Sequence, residues 1–106
     1  MAYFHMKLVP PRPSFPHDAT GEEMAAMKEH ADYWLRQTQA GTAIAVGPVF
    51  DPRGAWGMAV VEVDDADAVQ ALIEADPVTI ADLGFSYEVS PMPSLLFRQS
   101  GAATAV

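Results

Sequence analysis

The first residues of the chain alternate between apolar and mixed positions. Residues 2–9 repeat with a period of two, which predicts a strand with one oily side and one mixed side. The oily side consists of Phe4, Met6 and Leu8, and the mixed side of Tyr3, His5, Lys7 and Val9. Four prolines within residues 10–19 then prevent regular pairing, so this segment is predicted to be a stiff surface loop, either a plain connection or a lid over a pocket.

A helix is predicted after the loop. Thr20 and Glu23 have the spacing of a capping box, and Gly41 supplies the left-handed residue that ends a helix. Between them a largely apolar stripe recurs at helical spacing, and we expect it to face the core. Its members are Met24, Met27, Ala31, Trp34, Leu35 and Thr38.

The second half of the chain has the signals of a hairpin, a helix and a last strand. Two segments rich in β-branched and aromatic residues flank a turn, a capped amphipathic segment follows, and an alternating segment comes last. These are predicted to be strands at 43–50 and 56–63, a helix between Asp64 or Asp65 and Pro77, and a strand at 85–89. This order predicts an α+β, ferredoxin-like βαββαβ fold with an antiparallel four-stranded sheet and two helices on one face.

The predicted arrangement leaves the other face of the sheet without cover. Its mixture of apolar side chains with His5, Lys7 or Glu88 is too apolar to lie in water across a whole sheet. We therefore expect a homodimer by sheet-to-sheet packing, in which the same patch on two copies covers itself across a two-fold axis.

Composition narrows the class of protein. The 106 residues suffice for one compact domain, and 50% hydrophobic with 19% charged residues is a globular composition. A formal net charge of −8 with only 6 Lys and Arg predicts no nucleic acid partner, and no apolar run approaches the length of a membrane span, so no membrane partner is expected. The lack of cysteine excludes a disulfide framework and fits a cytoplasmic protein.

An ordered set of short segments resembles the YCII-related family. These segments are His30-Ala31-Asp32-Tyr33-Trp34, Gly47 to Gly54, Asp76-Pro77, Gly84-Phe85 and Pro91-Met92. The resemblance covers residues 1–92 as the domain and leaves residues 93–106 as a partly flexible C-terminal extension. It implies a dimeric α+β barrel with a histidine and an aspartate in a cleft, which fall on His30 and Asp76. One branch of the family looks like a dehydrochlorinase of a chlorinated hydroxyhydroquinone.

His30 and Asp76 also have positions that suit an acid–base pair. On a helical wheel His30 lies at the edge of the apolar stripe, and Asp76 ends the second helix, which covers the same sheet face. A carboxylate that accepts from one ring nitrogen leaves the other nitrogen to take a proton from a substrate. The leading hypothesis is a small cofactor-independent enzyme with lyase-like or isomerase-like chemistry on a small organic molecule, with aromatic rings among the candidates.

Two alternatives stay open. A hydrogen bond between His30 and Asp76 can simply clamp two helix ends, in which case the chain is a non-catalytic small-molecule-binding or dimerisation module. The other alternative is a small oxygenase of the same barrel type, because the resemblance implies a fold shared with muconolactone isomerases and small monooxygenases.

Four further residues are candidates for contact with a substrate. Trp34 can wall a pocket for a flat ring, and His5 can either touch a ligand or line the dimer interior. Arg12 and Arg53 can meet an anionic substrate or simply be solvated. The 3 histidines of the chain lack the short spacings of a metal site, so no metal and no cofactor are expected.

Overall fold

The computed structural model describes residues 1–98 of the chain. Four strands and three helices follow one another along it. They are β1 (Ala2–Val9), α1 (Gly21–Gln39), β2 (Ala43–Val49), β3 (Trp56–Val63), α2 (Ala66–Ala75), α3 (Pro77–Ile80) and β4 (Ser86–Met92). The predicted order of strands and main helices is confirmed, with strand bounds within a few residues of the expected ones.

The four strands form one antiparallel sheet in the order β2-β3-β1-β4. This is the strand order of a ferredoxin-like fold, as predicted. Met6 in the middle of β1 lies opposite Ala59 of β3 and Val89 of β4, so these side chains share one face of the sheet. The helices pack on this face, where the main core joins strand residues to Trp34 of α1 and Val69 of α2.

The start of α1 is as predicted, but its buried face is not. Thr20 and Glu23 form the capping box, each side chain bonding to the other's backbone N–H. The stripe predicted to face the core is largely outside it, because Met24 is 52% exposed and Leu35 is 55% exposed. The buried positions of this helix are Glu23, Ala26, Tyr33 and Trp34. The helix is thus turned so that its most apolar side overhangs a cavity.

The junction after α2 contains a helix that was not predicted. Pro77 ends α2, as expected, and at the same time occupies the first turn of α3, where its missing N–H is no loss. Asp76 between the two helices is extended and caps α3, because its Oδ1 accepts a hydrogen bond of 3.1 Å from the backbone N of Val78. Asp76 is thereby fixed at the point where two helices meet.

The second face of the sheet carries no helix within residues 1–98. His5 and Lys7 of β1 lie there beside Trp56 of β3: the His5 and Trp56 ring centroids are 6.1 Å apart, and Lys7 Nζ lies 4.9 Å from the Trp56 ring centroid. Residues 93–98 form neither helix nor strand, and the rest of the predicted C-terminal extension, residues 99–106, lies outside the described residues. No helix of the described chain is both long and apolar enough to cross a membrane.

Candidate active site

Asp76 has no exposed surface and accepts hydrogen bonds from three side chains as well as from Val78. His30 Nδ1 lies 3.0 Å from Oδ1 and 2.9 Å from Oδ2 of the carboxylate. Trp34 Nε1 donates to Oδ2 over 2.9 Å, and Tyr87 Oη donates to the same oxygen over 2.5 Å. The predicted meeting of His30 and Asp76 is therefore present, within a larger network.

The network keeps Asp76 ionised. Burial by itself raises the pKa of this carboxyl group, but the hydrogen bonds from His30, Tyr87 and Trp34 outweigh burial and hold the pKa of Asp76 below its ordinary value. Burial, together with the hydrogen bond to Asp76, raises the pKa of Tyr87, so the phenol stays protonated and donates. The carboxylate is a permanent acceptor beneath the imidazole.

His30 lies between this carboxylate and a cavity. Its side chain is 13% exposed, and it lines the cavity wall from α1. Because an ionised carboxylate only accepts hydrogen bonds, the Nδ1 atom that meets Asp76 carries the proton in the neutral ring. Nε2 is then the basic nitrogen of His30, and the arrangement provides an oriented imidazole at a cavity wall.

The cavity lies between α1, the Pro-rich loop and the strands, and its volume is about 580 Å³. Its wall is mostly aliphatic and aromatic. The stripe of α1 that was predicted to face the core forms one side of the cavity, and residues of the loop and the strands form the rest. The lining residues are Met6, Leu8, Pro10, Phe15, Pro16, Met24, Met27, His30, Ala31, Trp34, Leu35, Thr38, Val46, Gly47, Pro48, Phe50, Ala55, Trp56, Gly57, Met58, Ala59, Phe85 and Tyr87. A largely apolar hollow with few polar groups is typical of a small-molecule site.

The Pro-rich loop covers one end of the cavity and is tied to α1. Phe15 of the loop is buried and meets Phe85 edge to face, with ring centroids 5.3 Å apart. Arg12 donates to both carboxylate oxygens of Glu23 over 2.7 Å and to Asp18 Oδ1 over 3.0 Å. The Arg12 guanidinium lowers the pKa of Glu23 to about 2. Arg12 thus fastens the loop and does not line the cavity.

The remaining predicted contact residues are divided between two sides of the molecule. Trp34 lines the cavity beside His30, in the position suggested for a wall residue. His5 lies on the sheet face without helices, and Arg53 is paired with Asp51 in the exposed hairpin turn, with Nη2 3.1 Å from Oδ2. Neither His5 nor Arg53 is among the described residues that line the cavity.

Two residues of the site were missed by sequence reasoning. Tyr87 completes the network around Asp76, and Phe15 closes the loop over the cavity. A signal for Tyr87 exists in the sequence, because a tyrosine at an inward position of an alternating strand needs a partner for its hydroxyl group. Phe15 lies among prolines and carries no such periodic signal. Within residues 1–98 no three His, Asp or Glu side chains gather as a metal site would require.

Comparison with known proteins supports the fold and gives the family. A search of curated proteins finds no match. Among solved structures, 5-chloro-2-hydroxyhydroquinone dehydrochlorinase from Burkholderia phenoliruptrix AC1100, in complex with 2,5-dihydroxybenzoquinone, has 18% identity and a TM-score of 0.53 over 82% of this chain and 90% of that one. An uncharacterised protein from Thermotoga maritima has 13% identity and a TM-score of 0.47 over 85% and 94% of the two chains. The model of the YCII-related domain matches residues 4–93, so the chain belongs to the YCII-related family.

Proposed function

We propose that His30 and Asp76 act as an acid–base pair on a small organic molecule bound in the cavity. The reaction is of the lyase or isomerase type, in which one proton transfer starts the change in bonding. The observation that carries this proposal is the imidazole at the cavity wall whose Nδ1 lies 2.9 Å from a fully buried carboxylate. A base held in one tautomer in this way is oriented for proton transfer to and from a ligand in the cavity.

The step begins with a proton on a carbon or hydroxyl group of the ligand. Nε2 of His30 takes that proton, and the electron pair left behind forms a new double bond within the ligand. In an elimination the pair expels a leaving group, whereas in an isomerisation the imidazolium returns the proton to another atom. Asp76 stabilises the imidazolium, and Trp34 and Tyr87 position Asp76 through their hydrogen bonds.

The structural neighbour supports the choice of reaction class. That protein is named as a dehydrochlorinase of a chlorinated hydroxyhydroquinone, and a quinone is bound to it. Loss of hydrogen chloride from a ring is an elimination that proton transfer can start. We extend only this class to the present chain, as a proposal, because the two sequences share 18% identity.

We also propose that the functional unit, residues 1–92, is a homodimer that packs sheet to sheet. His5, Lys7 and Trp56 are half-buried on a face that no helix of the described chain covers. Met58 is half-buried as well and lies on the same face, since it pairs with Lys7 in the β1–β3 register. A second copy would cover Met58 and Trp56 with the same patch.

A second candidate function is supported by the number of structural elements that the Asp76 network connects. Its four donors belong to α1, α3 and β4, so the carboxylate joins three elements at the end of α2. A network of this kind stabilises a fold whether or not chemistry follows. On this account the chain is a small-molecule-binding module, and His30 serves only to complete the cluster.

One variant separates the two candidates. His30→Asn retains an amide N–H that can donate to Asp76 but has no basic nitrogen. Wild type and variant are incubated with 5-chloro-2-hydroxyhydroquinone and unchlorinated quinols, with chloride release and absorbance as readouts. We expect the variant to stay folded, to bind the same compounds and to lose at least roughly 100-fold in turnover.

The matched control is His17→Asn, because His17 is exposed in the loop and does not line the cavity. This control should turn over like the wild type. Equal turnover by His30→Asn and wild type would overturn the acid–base proposal. Ligand binding by the wild type with no turnover of any compound would favour the module.

A further inference from the structure

The cavity wall contains no formally charged residue. None of the described residues that line it is Lys, Arg, Asp or Glu, although such residues make up 19% of the chain. Its hydrogen-bonding side chains are few and include His30, Thr38 and Tyr87. An anionic ligand that entered from water would lose its hydration with no cation in the wall to replace it.

Two cations of the chain are engaged by other side chains. Arg12 is held by Glu23 and Asp18, and Lys7 lies over the Trp56 ring, opposite Glu88 in the β1–β4 register, on the sheet face that α1 does not cover. The net charge of −8 adds a repulsive field toward any anion. The net charge therefore disfavours an anion, and a wall without Asp or Glu offers no carboxylate to pair with a cation, so an uncharged ligand fits best.

The cavity is larger than one ring requires. Its volume is about 580 Å³, whereas a protein cavity of roughly 150 Å³ accommodates benzene. A single six-membered ring placed against His30 would leave most of the apolar wall in contact with water. The volume therefore fits a ligand with an apolar extension beyond the ring that meets the imidazole.

The mouth of the cavity is apolar as well. Four large hydrophobic side chains line the cavity and are also exposed: Met24, Leu35, Val46 and, at 82% exposure, Phe50. A ligand that reached from His30 to the mouth would cover some of this surface and gain about 25 cal/mol for each Å² removed from water. Apolar rim and apolar wall are continuous, so the extension can lie against both.

We propose that this site takes an uncharged, mainly apolar molecule that is larger than one ring and presents a single hydroxyl group or acidic C–H to His30. The inference rests on the proposed function, because it takes His30 as the group that the ligand meets. It names the substrate class: neutral ring compounds with an alkyl or second-ring extension. Carboxylates and phosphates of similar size are rejected.

The test uses 2,5-dihydroxybenzoic acid and its methyl, butyl and hexyl esters as probes. Binding to the wild type is measured by isothermal titration calorimetry at pH 7, where the acid is an anion and the esters are neutral. We expect the methyl ester to bind at least about tenfold more tightly than the acid, and each added methylene to improve affinity about threefold. Equal or tighter binding of the acid, or affinity that does not change with ester length, would overturn the inference.

A cation placed at the mouth should reverse the selectivity. Leu35→Lys changes an exposed lining residue, so it leaves the fold intact, and we expect it to tighten binding of the acid at least about fivefold and to weaken that of the hexyl ester. Ile80→Lys is the matched control, because Ile80 is also a large apolar residue, is 69% exposed against 55% for Leu35, and does not line the cavity. If both lysine variants changed acid binding equally, the cavity would not be the binding site.

Turnover is scored separately from binding, as chloride release from 5-chloro-2-hydroxyhydroquinone, because the acid and its esters carry no leaving group on the ring. Selective binding of the esters with no chloride release would overturn the acid–base proposal and leave the ligand class standing. Chloride release by a wild type that binds the acid in preference to its esters would overturn the ligand class and leave the acid–base pair standing.

Discussion

The Asp76 carboxylate is fully buried and accepts hydrogen bonds from His30, Trp34, Tyr87 and the backbone of Val78. A buried charge of this kind is tolerable only when its oxygens are satisfied, since its removal from water costs several kcal/mol. Here four donors share two oxygens. The residue that positions the imidazole is therefore also one whose hydrogen-bond donors the folded state depends on, since losing a donor leaves a buried charge less well satisfied.

Tyr87 offers a way to measure that dependence. Tyr87→Phe removes one donor to a charged group, and we expect the free energy of unfolding to fall by about 1.5–3 kcal/mol at pH 7. Because the phenol favours the ionised form, its loss raises the pKa of Asp76 toward the unfolded value of 3.8. Urea unfolding from pH 7 down to pH 2 measures both effects.

The sign of the pH dependence follows from the lowered pKa of Asp76. Its stabilising contribution is complete above the unfolded pKa of 3.8 and is lost as the pH falls through the lower folded pKa. The gap between wild type and Tyr87→Phe should therefore narrow below about pH 4. Tyr33→Phe is the control, because Tyr33 donates over 2.8 Å to the neutral carbonyl of Leu72. A gap for Tyr87→Phe that stayed constant to pH 2 would contradict the assigned network.

At the level of single residues, the sequence predicted the contact between His30 and Asp76 but not the other residues that surround this pair. His30 and Asp76 could be expected to meet because both helices cover one sheet face and each residue lies near a helix edge or end. The ion pairs of Arg12 could not be predicted, because a loop has no periodic pattern that indicates which side chains its residues contact. Tyr87 was assigned only to a strand, since its partner is 11 residues away and belongs to another element.

Among the elements, α1 shows the limit of a helical wheel. The most apolar stripe was expected to pack on the sheet, yet Glu23 and Tyr33 are buried while Met24 and Leu35 are exposed. Glu23 is buried because it both completes the capping box and binds Arg12. An apolar stripe identifies the side of a helix that is favoured to be shielded from water. A ligand bound in a cavity can provide that shielding in place of the protein core.

The Pro-rich loop is predicted to depend on Arg12. Arg12→Gln removes the ion pairs to Glu23 and Asp18, and we expect amides of residues 14–19 to exchange with solvent roughly tenfold faster. Hydrogen exchange measured by NMR or mass spectrometry gives the rates. Arg53→Gln serves as the comparison, since its pair with Asp51 lies on the exposed turn. Unchanged exchange of the loop in Arg12→Gln would show that the loop is held by Phe15 and its prolines alone.

The whole molecule has two differently covered sheet faces. The helices, the Asp76 network and most of the cavity wall lie on one face, where β1, β3 and β4 contribute paired inward residues. Trp56 and Met58, which belong to the other face, also line the cavity. This division was predictable from alternation in β1, because a shift of one residue would exchange the two sides of the strand. The volume of the cavity could not be predicted, since it depends on how far α1 stands from the sheet.

Assembly is predicted to follow from the second face. Met58 pairs with Lys7 at the middle of that face, and Met58→Glu would place a charge in the interface that we propose. We expect the wild type to sediment as a dimer and the variant as a folded monomer, with at least about a 100-fold weaker association. Analytical ultracentrifugation measures the change. Ile80→Glu, exposed on α3, should leave the dimer intact, and a monomeric wild type would contradict the assembly.

Asp76 both orients His30 and caps α3, and these two roles have an evolutionary consequence. Of the two members of the pair, the imidazole is the one whose loss leaves three other donors on the carboxylate. A duplicated gene can therefore discard the histidine and still encode a sound protein, whereas discarding the aspartate removes a helix cap and a buried charge together. Homologues that keep the aspartate but lack the histidine would identify branches of the family in which the fold was retained after the acid–base pair was lost.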